Sequence, residues 1–172
     1  VTLFLGHLDG HPRILAVDLE GLLHRWGFVE HIQLAVEAGP SGGLALIAVI
    51  DVRLFPAALG PGSVLRAWLQ DPTLLKVFHH CAGDSSALFH LHPIRLQNVF
   101  DTAIADCLIR SAHHGSSRGL GVVTQCYTGF VLKKDIEGGK SPDVFRVRPL
   151  TAMLFEYCWG DVRYGCDLFH AQ

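Results

Sequence analysis

The sequence predicts an α/β fold in which helices flank a mixed five-stranded sheet. Three apolar segments near its start are separated by short turns rich in glycine and proline, a pattern typical of antiparallel hairpins. Two further apolar segments then alternate with helical stretches, and the two patterns together indicate a mixed sheet. The chain has 172 residues, 49% of them hydrophobic, so we expect one folded domain spanning residues 1–172.

The first predicted strand is the apolar run 14–17, which should be buried on both faces and leads into two carboxylates. Side chains alternate along a strand, so Asp18 and Glu20 should point to the same side, about 7 Å apart. A buried carboxylate pair is unfavourable unless something compensates its charge, and a divalent cation does so readily. The alternative is a strand that ends in a solvated acidic turn.

The remaining elements follow from periodicity, caps and breakers. Further strands are predicted over residues 31–36, 44–50, 76–81 and 96–100. Helices are predicted over residues 64–69, after Cys81 through Leu91, from Thr102 to about Ala112, and over 120–127. A last helix should open at Arg148–Thr151 and carry Tyr157 and Asp161. Residues 2–8 should form the end of a helix or an edge strand, and loops should cover 38–43 and 133–143.

Composition narrows the function classes. The formal net charge of −2 means that a nucleic-acid binder would need a local basic patch. The odd number of cysteines, without a CxxC pair, indicates free thiols in a reducing intracellular compartment, cytoplasm or nucleus. No apolar run reaches the roughly 18 residues that span a membrane, so we expect no membrane partner. No signal peptide follows Val1, and we expect the natural chain to have flanking segments.

Three acidic segments stand out. Asp18 and Glu20 end the first strand, Asp84 follows the fourth strand, and Asp161 lies in the last helix four residues after Tyr157. Helix positions four apart share a face, and sites in α/β sheets form beyond the carboxyl ends of strands. Four converging carboxylates repel one another and should raise at least one pKa unless cations neutralise them. Two divalent ions bridged by carboxylates are a known arrangement for phosphodiester hydrolysis.

The same segments resemble a known family. The stretches Ala16–Gly21, Lys76–Asp84 and Tyr157–Tyr164 resemble, in order, the three motifs of the DEDD 3'-5' exonucleases, in the Tyr-x-x-x-Asp version called DEDDy. The branch is ribonuclease D-like, and Asn98–Thr102 resembles in particular the 3'-5' exonuclease domain-containing and Egalitarian-like proteins. The resemblance implies a ribonuclease H-like fold.

The resemblance also implies a chemistry. Asp18, Glu20, Asp84 and Asp161 would hold two Mg²⁺ or Mn²⁺ ions, and Tyr157 would orient the attacking water. The expected activity is metal-dependent 3'-5' hydrolysis at the ends of single-stranded RNA or DNA, with RNA favoured. A tyrosine of ordinary pKa is a poor base at neutral pH, which favours the orienting role.

Some positions depart from the family pattern. His80 stands where many relatives have aspartate, Cys158 and Trp159 replace small residues, and the pair at 165–166 replaces leucines. None of these removes an implied ligand. The departures leave a second hypothesis open: a weakly active or inactive domain that binds RNA, or that forms a homodimer or binds a protein partner through the flanking regions.

Other residues allow two interpretations. Asp101 is predicted to cap a helix rather than to join the site. The basic residues are either a phosphate-contacting patch or a solvated loop: Lys133, Lys134, Lys140, Arg146 and Arg148. Trp26 and Phe28 either stack on bases near the 3' end or pack in the core or at an interface. A zinc cluster is a weaker hypothesis, because its spacing does not match paired zinc ligands; its members would be His79, His80, Cys81, His90 and His92.

Overall fold

The computed structural model describes residues 12–38, 43–111, 117–132 and 141–172. The predicted segment at 2–8, most of the loop predicted at 38–43, the predicted end of the helix at Ala112 and residues 133–140 of the charged loop lie outside these described residues. Within them, no helix combines the length and the apolar character needed to cross a bilayer. All five cysteines are described, and all are free thiols.

The sheet is mixed and five-stranded, as predicted. Its strands are β1 (Pro12–Leu22), β2 (Phe28–Ala38), β3 (Gly43–Asp51), β4 (Leu75–Phe78) and β5 (Val99–Asp101). Their spatial order is β3-β2-β1-β4-β5. The first three strands pair antiparallel, whereas β4 pairs parallel with both β1 and β5. The central strand β1 therefore has a hairpin partner on one side and a parallel partner on the other.

Helices cover both faces of the sheet. Those in the described residues are α1 (Val64–Gln70), α2 (Ala82–Leu91), α3 (Thr102–Ile109), α4 (Leu120–Thr128), α5 (Ala152–Arg163) and α6 (Gly165–Ala171). Short 3₁₀ turns cover Pro56–Leu59 and Pro142–Arg146. One core cluster joins the sheet to α1 and α2, and a second joins it to α5 and α6.

Strand β1 is apolar because both of its faces are covered. Leu15 and Val17 belong to the core under α1 and α2, whereas Ile14 and Ala16 belong to the core under α5 and α6. Each of these side chains is at most 5% exposed. The prediction of a strand buried on both faces is confirmed.

Strand β4 is shorter than predicted. It ends at Phe78, and the chain turns at His80, whose φ of 61° lies in the left-handed region. The turn is held by Asp101, whose carboxylate accepts hydrogen bonds from the backbone N–H groups of His80 and Cys81. The prediction of a strand through Cys81 is therefore wrong, because a distant side chain ends the strand.

Other boundaries also differ from the prediction. Strands β1 and β2 are longer at both ends than the predicted runs. The fifth strand begins at Val99 rather than at 96, because Asn98 has a φ of 51° that does not fit a strand. Helix α3 ends at Ile109 instead of continuing to about Ala112, and Ser111 has a φ of 50°.

The last predicted helix is confirmed, and a further helix that was not predicted follows it. Helix α5 starts after Thr151, whose side chain accepts from the N–H of Leu154, and ends at Arg163. Helix α6 then begins at Gly165 and packs across the sheet. A Cβ atom at Gly165 would collide with the Cβ of Ala16 on β1. Glycine at this position thus allows the chain to pass close to the central strand.

Candidate active site

Three carboxylates converge where β1 ends and α5 crosses the sheet. Oxygen atoms of Asp18, Glu20 and Asp161 all lie within 4.8 Å of one another. Asp161 is 9% exposed and the other two are half-buried. The strand alternation and the helix packing predicted from the sequence bring these side chains together.

Strand pairing fixes the position of the two carboxylates on β1. Asp18 lies opposite Gln33 on β2, and Glu20 lies opposite His31. Residues paired in this way share a face of the sheet. Both partners are buried, with His31 only 1% exposed and Gln33 fully buried. The acidic residues therefore stand on a packed strand pair rather than on a loop.

The side chain of Asp84 contacts the end of β1 through a hydrogen bond to the backbone of that strand. It lies in the first turn of α2, is 4% exposed, and its Oδ1 accepts a hydrogen bond from the N–H of Leu19 at 3.1 Å. In the described part of the chain, the group with oxygens within 4.8 Å contains Asp18, Glu20 and Asp161 and not Asp84. Asp84 is thus bonded to the backbone of the residue between the two β1 carboxylates, and its place in the site stays a prediction.

The protonation of Asp84 is shifted. Burial, together with the smaller effect of the negative charge of Asp101, raises the pKa of Asp84 to about 7, although hydrogen bonds from its own backbone N–H and that of Leu19 oppose the shift. We expected repulsion among the site carboxylates to raise a pKa. Desolvation is the larger cause here.

Tyr157 stands on α5 one turn before Asp161. It is half-buried, and its ring lies 5.9 Å from the ring of Phe145. Burial, together with the charges of Asp161, Glu20 and Asp18, raises the pKa of Tyr157 well above its ordinary value. The hydroxyl is therefore protonated at neutral pH and can donate a hydrogen bond.

The N-terminal end of α5 is anchored by an ion cluster. Arg148 precedes the helix, and its Nη2 lies 2.7 Å from Oε2 of Glu30 and 3.1 Å from Oδ1 of Asp51. Its Nη1 also donates to the carbonyl of Phe145 at 2.7 Å. These bonds join the start of α5 to β2 and β3, and so fix the helix that carries Tyr157. The sequence offered no signal for this pairing, because its members lie about a hundred residues apart.

Asp101 is the predicted helix cap, and it has a second role. Its Oδ1 accepts from Ala103 N–H at the start of α3, at 2.9 Å, which confirms the cap. The same carboxylate accepts from His80 N–H at 3.0 Å and from Cys81 N–H at 2.9 Å. Asp101 therefore holds the turn from β4 into α2, the helix that carries Asp84.

The zinc hypothesis is wrong. In the described residues the cysteine and histidines near β4 do not form a group of three donors. His79 Nδ1 lies 2.8 Å from the hydroxyl of Thr102, and burial together with the charge of Asp101 raises the pKa of Cys81 to about 11.

The residues of the predicted basic patch fall into two groups. Arg148 is engaged with Glu30 and Asp51, and Arg146 lies 3.4 Å from Glu30 and over the ring of Phe28. These two arginines therefore have internal partners. The three lysines of the proposed patch lie outside the described residues. Trp26, on the turn after β1, is 78% exposed, so it does not pack in the core, and packing at an interface stays a prediction.

One departure from the family pattern is explained by packing. Cys158 is fully buried between α5 and the sheet, in a cluster with Phe145 and Leu154. Burial and the charge of Glu20 raise the pKa of its thiol to about 12. Cys158 is thus an apolar packing residue behind the site.

The mixed sheet, its helices and the acidic cluster define the ribonuclease H-like class of nucleases. The chain belongs to the 3'-5' exonuclease family, whose model matches residues 13–171. It is 30% identical to ribonuclease D of Haemophilus influenzae over 124 residues, which cover 72% of this chain and 28% of that protein. It is also 30% identical over 109 residues to the human piRNA biogenesis protein EXD1, covering 54% of this chain and 20% of that protein. The chain thus spans well under a third of these relatives.

Solved structures agree on the fold. Magnesium-bound NrnC of Brucella melitensis superposes with a TM-score of 0.73 at 23% identity, covering 95% of this chain and 73% of that one. Ribonuclease D of Escherichia coli superposes with a TM-score of 0.71 at 24% identity, covering 92% of this chain and 38% of that one. The predicted ribonuclease H-like fold is therefore confirmed.

Proposed function

We propose that this chain is a metal-dependent 3'-5' exonuclease that hydrolyses phosphodiester bonds at the 3' ends of single-stranded nucleic acid, RNA in preference to DNA. The observation that carries the proposal is the convergence of Asp18, Glu20 and Asp161 within 4.8 Å. Tyr157 lies beside them, since their charges act on its hydroxyl.

The donor set fits Mg²⁺ or Mn²⁺. These three side chains offer only carboxylate oxygens, which are the ligands that hard divalent cations prefer. Asp84 would complete the set for a second ion, because it is tied to the backbone between Asp18 and Glu20. Bound divalent ions lower the pKa of water and stabilise charge on a leaving oxygen.

Tyr157 would position the attacking water. A protonated phenol cannot accept the proton of the attacking water, so its role is to hold that water by a hydrogen bond. The water oxygen attacks the terminal phosphorus and the bond from phosphorus to the 3' oxygen breaks. The leaving 3' oxygen takes up a proton and the attacking water gives one up to the solvent. The products are a nucleoside 5'-monophosphate and a strand with a new 3' hydroxyl.

The preference for RNA is supported by the relatives. The bacterial relative is named a ribonuclease, and the human one is named for piRNA biogenesis. A structure of NrnC bound to pGG shows a dinucleotide ligand on a protein of this fold. The three lysines of the predicted basic patch lie outside the described part of the chain. The support for RNA therefore comes from the relatives and not from a described phosphate-binding surface.

A labelled-strand assay tests the proposal. Single-stranded RNA and DNA of equal sequence, labelled at the 5' end, are incubated with Mg²⁺, Mn²⁺ or EDTA. We expect a ladder that shortens from the 3' end, faster for RNA, in the presence of either ion and none in EDTA. The control is Asp18→Ala, which should give no ladder. RNA binding by the wild type without any ladder would favour the second hypothesis, a binding module.

A further inference from the structure

A groove runs along α5 beside Tyr157. We call it the α5 groove; it has a volume of about 480 Å³. Its lining consists of residues of α5 and its C-terminal end, among them Glu156, Tyr157, Trp159, Gly160, Arg163 and Tyr164, and of apolar residues that include Val131 and Leu132. This volume lies within the range of about 300–1,000 Å³ of clefts that hold small ligands. Tyr157 lines the groove and stands one helical turn before Asp161 on α5, so the groove lies next to the acidic site.

The walls of the groove are aromatic and are held in place. The Arg163 guanidinium lies 4.2 Å from the centroid of the Trp159 ring and 5.1 Å from that of Tyr164. Tyr164 in turn stacks on Phe130, with ring centroids 4.3 Å apart and planes inclined by 16°. A cation between two rings fixes their orientation. The groove therefore presents ordered flat surfaces.

The floor of the groove is open because of Gly160. A Cβ atom at this position would have no heavy atom within 4 Å apart from its own neighbours. Helix α5 does not require glycine at this position, and most other residues would make the helix more stable. The missing side chain leaves room against the helix backbone.

We propose that the α5 groove binds a nucleobase of the single-stranded substrate, next to the nucleotide that is removed. This inference rests on the proposed function. Aromatic rings that stack on bases contribute about 1–3 kcal/mol per base in proteins that bind single strands. The charged residues that line the groove are Glu156 and Arg163, so the lining has no net positive charge to attract a phosphate. The base therefore enters the groove and the backbone stays outside.

The test measures binding without turnover. The fluorescence anisotropy of a labelled single-stranded RNA is followed at low salt in EDTA, with one abasic site moved along the strand from its 3' end. For the wild type, we expect one position at which loss of the base weakens binding about tenfold. For Trp159→Ala, binding to intact RNA should be weaker by a similar factor, and the abasic site should have no further effect. Trp159→Phe should keep the wild-type pattern.

A second pair of variants distinguishes a filled groove from a general loss of folding. Gly160→Leu fills the groove floor at a helical site with open space, and it should weaken RNA binding about tenfold. Gly121→Leu is the matched control, because Gly121 lies in α4 and also has open space around a built Cβ. It should leave binding unchanged.

Several outcomes would overturn the inference. They are equal losses at every abasic position, an unchanged abasic pattern in Trp159→Ala, Gly160→Leu binding as well as Gly121→Leu, or no binding by the wild type. Because these measurements need no hydrolysis, a wild type that shows the expected pattern but cleaves nothing would contradict the proposed function and support the groove.

Discussion

The carboxylate of Asp84 accepts a hydrogen bond from the backbone N–H of Leu19 at 3.1 Å. Leu19 is the residue between Asp18 and Glu20, and it is itself 3% exposed. The bond joins the first turn of α2 to the end of β1. The position of both β1 carboxylates thus depends on a side chain that lies 65 residues further along the chain.

Replacing Asp84 should separate its two roles. Asp84→Ala leaves the N–H of Leu19 buried without an acceptor and should lower the free energy of unfolding by about 1–3 kcal/mol. Asp84→Asn keeps an acceptor oxygen and should be nearly as stable as the wild type. Both variants should lose exonuclease activity, because an amide is a weaker ligand for a hard cation. Urea unfolding and the labelled-strand assay measure the two effects. A fully active Asp84→Asn variant would remove Asp84 from the site.

Replacing Asp101 should disturb the turn into α2. Asp101→Ala loses an acceptor for three backbone N–H groups, and we expect the free energy of unfolding to fall by about 2–4 kcal/mol. Asp101→Asn should lose less, because its amide oxygen can still cap α3. The control is Asp143→Ala, whose side chain is 73% exposed and whose loss should change stability by less than about 0.5 kcal/mol. Equal stability of Asp101→Ala and the control would contradict the role of Asp101.

The free energy of unfolding should fall at acidic pH because of Asp106. This carboxylate is buried, and hydrogen bonds from Arg118, Arg110 and Tyr127 hold its pKa well below the ordinary value of 3.8, although burial alone would raise it. Because the folded pKa is the lower one, the stabilisation is complete above the ordinary value and is lost as the pH falls below it. Urea unfolding at a series of pH values from 6 to 3 should show a steeper loss for the wild type than for Asp106→Asn. Parallel curves would contradict this assignment.

Substitutions of Tyr157 and of Asp18 should have different effects on activity and metal binding. Tyr157→Phe keeps the ring but loses the hydroxyl, so kcat should fall about 10²-fold while Mn²⁺ binding and RNA affinity stay the same. Asp18→Ala removes a ligand, so metal binding and activity should fall together. Calorimetric titration with Mn²⁺ and single-turnover assays measure these quantities. If both variants kept wild-type activity, the acidic cluster would not be the catalytic site.

Local patterns were enough to predict several features. The apolar run before Asp18 predicted a buried strand, and the strand and helix periods placed Asp18 with Glu20 and Tyr157 with Asp161. The helix cap at Asp101 also follows from a local pattern. In each case the information lies within a few neighbouring residues.

The features that were missed depend on distant contacts. Strand β4 ends at Phe78 because Asp101 binds the following turn, and α5 breaks from α6 where Gly165 passes close to Ala16. The anchoring of α5 by Arg148 and Glu30 joins residues 118 positions apart. A single sequence carries no signal for such pairs, because each member is also compatible with a solvated surface.

The most direct test of the account is hydrolysis of single-stranded RNA in water enriched in ¹⁸O, with mass spectrometry of the released products. The account predicts nucleoside 5'-monophosphates that each carry one ¹⁸O on phosphorus, released from the 3' end only when Mg²⁺ or Mn²⁺ is present. Products that carry a 3' phosphate, internal fragments, or release in EDTA would contradict it.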